Sequence, residues 1–168
     1  YAGETAITAI GQGFTLVTPL QLANATAKLA NPSLLIKPHL LLSIDGIQQE
    51  KQEDKGKKQS FSDKNLKWVK KGMVNVTKEG GTAAFLGRKS NYQMASKTGT
   101  AQVFGLKKDQ EYNEDTLPDK LKDHALFITY APAIDPEIVI AVIVENGGHG
   151  GSVAGPIAKE VLDTYLNK

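Results

Sequence analysis

Two apolar runs near the C-terminus, Leu126 to Ala131 and Ile138 to Glu145, stand either side of Pro132-Ala133-Ile134-Asp135-Pro136. Their aliphatic and aromatic residues favour strands, and a proline-bounded connection of this length returns the chain antiparallel. The rest of the fold must therefore be built around this hairpin. The second run is apolar almost throughout, so it is expected at the centre of the sheet. After it, Gly147-Gly148-His149-Gly150-Gly151-Ser152 turns the chain into a helix from about Pro156. That helix sets Ile157, Ala158, Val161, Leu162, Tyr165 and Leu166 on one apolar face.

A third strand lies upstream. Tyr92-Gln93-Met94-Ala95 alternates in polarity and leads into Ser96-Lys97-Thr98-Gly99-Thr100. Three strands followed by a helix predict an α+β fold, an antiparallel sheet covered by helices. Earlier in the chain, Thr18-Pro19-Leu20-Gln21 carries a capping box with proline at the first helical position, predicting a helix to about Ala30 that Asn31-Pro32 stops. Leu40 to Ile44 is expected as a strand ending in the turn pair Asp45-Gly46. Residues 49–58 mix charges of both signs without periodicity and predict a solvated loop or hairpin tip. Leu66, Val69, Met73 and Val76 share a helical face, with Ser62 as cap and Gly80-Gly81 as the stop. Trp68 on that helix is expected as a core or edge aromatic, and residues 105–123 as a polar loop.

Composition removes several classes of function. The 168 residues are 40% hydrophobic, enough for one ordinary core, and carry a net charge of +2, which offers no basic footprint for nucleic acid. There is no cysteine, so disulfides and thiolate metal sites are excluded. The longest apolar run, Ile138 to Val144, is too short to cross a bilayer. His39, His124 and His149 show no ligand spacing; they are expected to be structural or exposed, with no metal bound. A phosphate-cradling loop would need glycine at positions 96 and 91, where Ser96 and Asn91 stand, and Gly11-Gln12-Gly13 lacks the rest of a dinucleotide fingerprint. The latter is expected to serve packing, and no cofactor is implied.

Ser96 to Thr100 is the segment with chemistry in it. Lys97 brings fixed positive charge, Thr98 and Thr100 bring hydroxyls, and Gly99 lets a ligand backbone approach closely. Together these suit a wall that reads a carboxylate. The period of two places Thr98 and Thr100 on one sheet face, and Ser96 is expected on the opposite side in a structural role. From the tripeptide alone, an ordinary exposed strand lysine is the commoner reading of Lys97.

The wider pattern is more specific. Ile10-Gly11-Gln12-Gly13-Phe14, Thr18 to Ala23, Ser96 to Gln102, His124-Ala125-Leu126-Phe127, Tyr130-Ala131-Pro132 and Gly151 to Ala158 follow one another in an order that resembles the class B penicillin-binding transpeptidases, above all members serving rod-shape elongation. The resemblance runs from about Gly3 to Leu166. It implies the C-terminal portion of the penicillin-binding transpeptidase fold, with residues 1–168 as an incomplete segment of one domain. Such enzymes carry a serine with lysine three residues later. None of the seven serines here has that lysine, and no Ser-x-Asn occurs; in the family both motifs would lie upstream of Tyr1.

The resemblance also implies roles. Lys97 and Thr100 would be catalytic, Lys97 through the proton network and local field, Thr100 through a backbone N–H forming half of an oxyanion hole. Thr98, Gly99 and Thr100 would bind substrate, the hydroxyls holding a terminal carboxylate. The implied ligands are a peptidoglycan stem peptide and β-lactams; the implied partners are the missing half of the domain or a second copy, and elongation-machinery proteins. The implied location is the periplasmic face of the inner membrane, with an anchoring helix outside this chain. A non-catalytic scaffold or β-lactam sensor of the same fold is the alternative, and a serine β-lactamase a third that the class B blocks disfavour. A segment lacking part of the helical cover of its sheet is also expected to leave apolar sheet surface exposed.

Overall fold

A capping box opens the best-defined early helix. In the computed structural model, which describes residues 2–13, 15–33, 37–48, 61–103 and 117–167, the chain forms α1 (Ala2–Ala9) and α2 (Pro19–Ala30). At the start of α2, the Gln21 N–H donates to Thr18 Oγ1 at 3.2 Å and the Thr18 N–H donates to Gln21 Oε1 at 2.8 Å. Two otherwise orphaned donors are thereby satisfied, as the sequence predicts. Next come β1 (Ser43–Ile44) and β2 (Ile47–Gln48), a two-stranded hairpin turning at Asp45-Gly46. Among the described residues only Ser43 and Ile44 of the strand expected from Leu40 are paired; Leu40, Leu41 and Leu42 are exposed, and the positions that would face them in this register lie outside the described residues. The expected loop at 49–58 and most of the 105–123 loop lie outside the described residues.

Helix α3 (Asp63–Asn75) begins where Ser62 Oγ accepts from the Asn65 N–H at 3.2 Å. It stops at Asn75, before the predicted Gly80-Gly81, and the chain folds back through a turn at 76–83 to α4 (Ala84–Arg88). Of its predicted apolar face Met73 is buried, whereas Val69 is exposed. Trp68 is 62% exposed with Lys71 Nζ 5.3 Å above its ring, a surface aromatic rather than a core one.

The main sheet contains β3 (Ala95–Ala101), β4 (His124–Ala131) and β5 (Ile138–Val144) in the order β3-β4-β5, all antiparallel. Between β3 and β4 a 3₁₀ turn spans Asp119–Leu121, and α5 (Ala154–Leu166) closes the chain. The predicted hairpin is therefore present, but its second strand is not central: among the described residues β4 is paired on both sides and β5 lies at the edge. The reason is in the layers. Val142 and Val144 pack with Phe127, Ala154 and Ala158 on the α5 side, while Val139 packs with Tyr130, Ala30 and Met73 on the side of α2 and α3. A strand apolar on both faces reports two covered faces, not two paired edges. Burying side chains such as Phe127 and Leu162 stabilises the stack by roughly 1.5–3 kcal/mol each.

The face predicted for α5 divides. Ala154, Ala158 and Leu162 are fully buried, yet Ile157, Val161 and Tyr165 remain 44%, 46% and 41% exposed. Val161 and Tyr165 line, with Ile138, Glu160 and Thr164, an open groove of about 390 Å3 near the start of β5. The uncovered apolar surface here belongs mostly to the helix and less to the sheet, where the expectation put it: of β5 only Ile143 is exposed. On its other side α5 is tied to the approach of β3: the Tyr92 hydroxyl donates to Asp163 at 2.7 Å, and Lys159 Nζ donates to the same carboxylate at 2.5 Å. Burial, then the hydrogen bond to Asp163 and its charge, push the Tyr92 hydroxyl well above the usual phenol range. Burial alone would raise Asp163, but Lys159 and the Tyr92 hydroxyl hold it below the usual carboxylate range.

Candidate active site

Strand β3 has a partner on one side only among the described residues, so Lys97, Thr98 and Thr100 lie on the free edge of the sheet. Lys97 and Thr100 are exposed, and Thr98 and Gly99 half-buried. Lys97 Nζ donates to the Thr98 carbonyl at 2.6 Å. Its side chain lines a cavity of about 600 Å3 whose other walls are the end of α3, at Gly72 and Asn75, and the turn from Lys78 to Thr82. This turn is drawn tightly onto the helix end. A Cβ at position 81 would stand 2.3 Å from the carbonyl oxygens of Asn75 and Val76, which only glycine avoids.

Cross-strand register fixes the faces. Thr98 sits opposite Phe127 and Ser96 opposite Thr129, and Ser96 Oγ donates to Thr129 Oγ1 at 2.9 Å in full burial. Ser96 is therefore structural, as expected, but on the same face as Thr98 and Thr100 rather than the opposite one. The two-residue period demands this, since all three positions are even-numbered. Lys97 and Gly99 project to the other face, opposite Ile128 and Leu126.

Four residues outside the segment complete the surroundings, and single-sequence reasoning did not find them. Thr82 Oγ1 lies 3.5 Å from Thr98 Oγ1. Gln12, expected only to pack, reaches Thr100 with Nε2 3.5 Å from its carbonyl oxygen. Gly150 and Gly151 rest on β3 itself: a Cβ at 150 would stand 2.4 Å from the Gly99 oxygen, and one at 151 would stand 3.3 Å from Thr98 Cγ2. The glycines before α5 thus do more than turn the chain. They admit backbone to within contact of the strand. The histidines are structural or exposed where described, His124 accepting from the Asn146 N–H at 2.9 Å. Chemically, the strand offers one ammonium, two hydroxyls and a free edge of backbone donors beside an open cavity, a set suited to binding an anionic peptide end.

The family model described as penicillin binding protein transpeptidase domain matches residues 2–163. The peptidoglycan D,D-transpeptidase MrdA of Haemophilus influenzae is 42% identical over 99% of the chain, which spans 26% of that relative's length. The crystal structure of Pseudomonas aeruginosa PBP2 in complex with WCK 5153 superposes with a TM-score of 0.80 at 40% identity, covering 100% of this chain and 34% of that one. Helicobacter pylori PBP2, in its complex with MreC, gives a TM-score of 0.73 at 32% identity over 99% of this chain and 28% of that one. The mixed helical and antiparallel architecture is the one these neighbours share. With a family model matched along nearly its whole length and a structural likeness to match, this chain belongs to the penicillin-binding protein transpeptidase domain family.

Proposed function

We propose that the chain is the C-terminal segment of a peptidoglycan D,D-transpeptidase domain of the elongation type, supplying the carboxylate-reading wall of its active site. The observation that carries this is the free edge of β3, which presents Lys97, Thr98 and Thr100 with no strand across from them among the described residues, next to an open cavity that Lys97 lines. The serine comes from the remainder of the parent protein. Its Oγ attacks the penultimate D-alanine carbonyl of a stem peptide, the C–N bond breaks, and the terminal D-alanine leaves with the proton. An amine of a neighbouring strand then attacks the ester and returns the serine. β-Lactams enter the first step only.

Each residue has a part in those steps. The Lys97 ammonium supplies the positive field that draws in the substrate carboxylate and supports the proton relay around the serine. Thr98 and Thr100 donate hydroxyl hydrogen bonds to that carboxylate. Gly99 keeps the strand open to the substrate backbone, and the Thr100 N–H is half of the oxyanion hole, a donor of a kind worth on the order of 3 kcal/mol. The uncovered groove beside α5 and the edge of β5 are met by the rest of the domain or, in its absence, by a second copy. The whole protein acts at the periplasmic face of the inner membrane, bound to the elongation machinery as the Helicobacter relative is to MreC.

Labelled penicillin and size-exclusion chromatography test this together. The full-length parent should form a covalent adduct and this chain alone none. A monomer of this chain that becomes labelled would place the nucleophile within it and overturn the assignment; a full-length parent that stays unlabelled and lacks an upstream Ser-x-x-Lys would be a scaffold.

A further inference from the structure

Thr98 cannot read a carboxylate with its hydroxyl aimed at random. A threonine hydroxyl has one proton to donate and two lone pairs to accept with, so the proton serves a ligand only if the rotor is set. One contact bears on it. The methyl Cγ2 of Thr98 faces the bare backbone of Gly151, where a Cβ would stand only 3.3 Å away, and β-branching leaves the side chain few χ1 rotamers. The other branch, Oγ1, then lies 3.5 Å from Thr82 Oγ1, at the long end of hydrogen-bonding reach. Thr82 is itself held in place. Its turn is pressed onto the end of α3 at Gly81, and the Ala83 N–H donates to the Val76 carbonyl at 2.9 Å. Thr82 also lines the same cavity as Lys97.

We propose that Thr82 is a positioning residue: its hydroxyl donates to Thr98 Oγ1 and leaves the single Thr98 proton for the carboxylate of the bound peptide or β-lactam. This rests on Thr98 reading that carboxylate. Thr82 acts through Thr98 and touches no reacting atom. Its side chain is exposed, so its substitution tests the site and not the core.

The test is a double-mutant cycle in the full-length parent, read as the ratio of acylation rate constants for a penicillin and for its methyl ester. Thr82→Val should lower that ratio roughly fivefold to tenfold, the scale of one hydrogen bond, and Thr82→Ser should keep it near wild type. In a Thr98→Val background, Thr82→Val should change the ratio no further. A wild-type ratio in Thr82→Val, or the same drop with Thr98 already removed, would overturn the role of Thr82 while leaving that of Thr98 intact. A wild-type ratio in Thr98→Val would overturn both.

Discussion

Gly150 lies against Gly99 so closely that a Cβ on residue 150 would stand 2.4 Å from the Gly99 carbonyl oxygen and 2.1 Å from that of Leu126. The last loop before α5 is thereby a template for the strand that carries Lys97 to Thr100. Gly150→Ala in the full-length parent should push β3 off register with its neighbours. A stability loss of about 1–3 kcal/mol is expected from overpacking, together with slower acylation by penicillin of the protein that remains folded. Denaturant unfolding and a labelled-penicillin time course read the two effects separately; a full acylation rate in the variant would mean the strand tolerates the shift.

A second glycine provides the contrast. A Cβ at Gly72, inside α3, would meet nothing within 4 Å. Gly72→Ala should therefore stabilise the protein by roughly 0.4–1 kcal/mol through the helix and the unfolded chain. At the start of α2, Thr18→Ala removes one side of the capping box and should cost about 1 kcal/mol. Urea midpoints of the two variants should move in opposite directions.

The Tyr92–Asp163–Lys159 cluster predicts how stability depends on pH. Asp163 has its folded pKa depressed, so its contribution is fully present above the unfolded value of about 3.9 and is lost as pH falls through the folded one. Tyr92 has its folded pKa raised, so its contribution is present below about 10 and is lost as pH climbs beyond that toward the folded value. Because the Asp163 side chain is 37% exposed, the effect should be small, under about 1 kcal/mol. Asp163→Asn should be less stable than wild type at neutral pH, and the gap should close as pH falls below the ordinary carboxylate range. A gap of constant size across that range would show that the charge is not what matters.

What was legible in the sequence was local. The Thr18–Gln21 box, the Ser62 cap and the Ala131–Ile138 hairpin each depend on residues a few positions apart, and each forms as expected. Predictions that needed the third dimension went astray. The apolar run of β5 recorded helices on both faces, and from sequence alone that composition cannot be told from a central strand. The apolar positions of α5 formed one broad stripe in projection, yet Ala158, Leu162 and Leu166 reach the core while Ile157, Val161 and Tyr165 stay exposed. The candidate site was half legible: Lys97 to Thr100 are drawn together by residue type on one strand. Gln12, Thr82 and Gly150 come to that strand from distant turns, and nothing in their own neighbourhoods signals it. Ser96 is different, since its face followed from the period of the strand alone.

On the proposed function Lys97 is an active-site group and not merely an exposed lysine on an edge strand. Lys97→Ala in the full-length parent decides it, measured as the second-order rate constant for acylation by labelled penicillin with folding checked by thermal melting. An exposed lysine can be removed with little effect on stability, so the melting temperature should stay within a few degrees of wild type. The acylation rate should fall by at least about a hundredfold, the scale of a lost group in proton transfer. A folded variant that acylates within threefold of wild type would return Lys97 to an ordinary lysine of an edge strand.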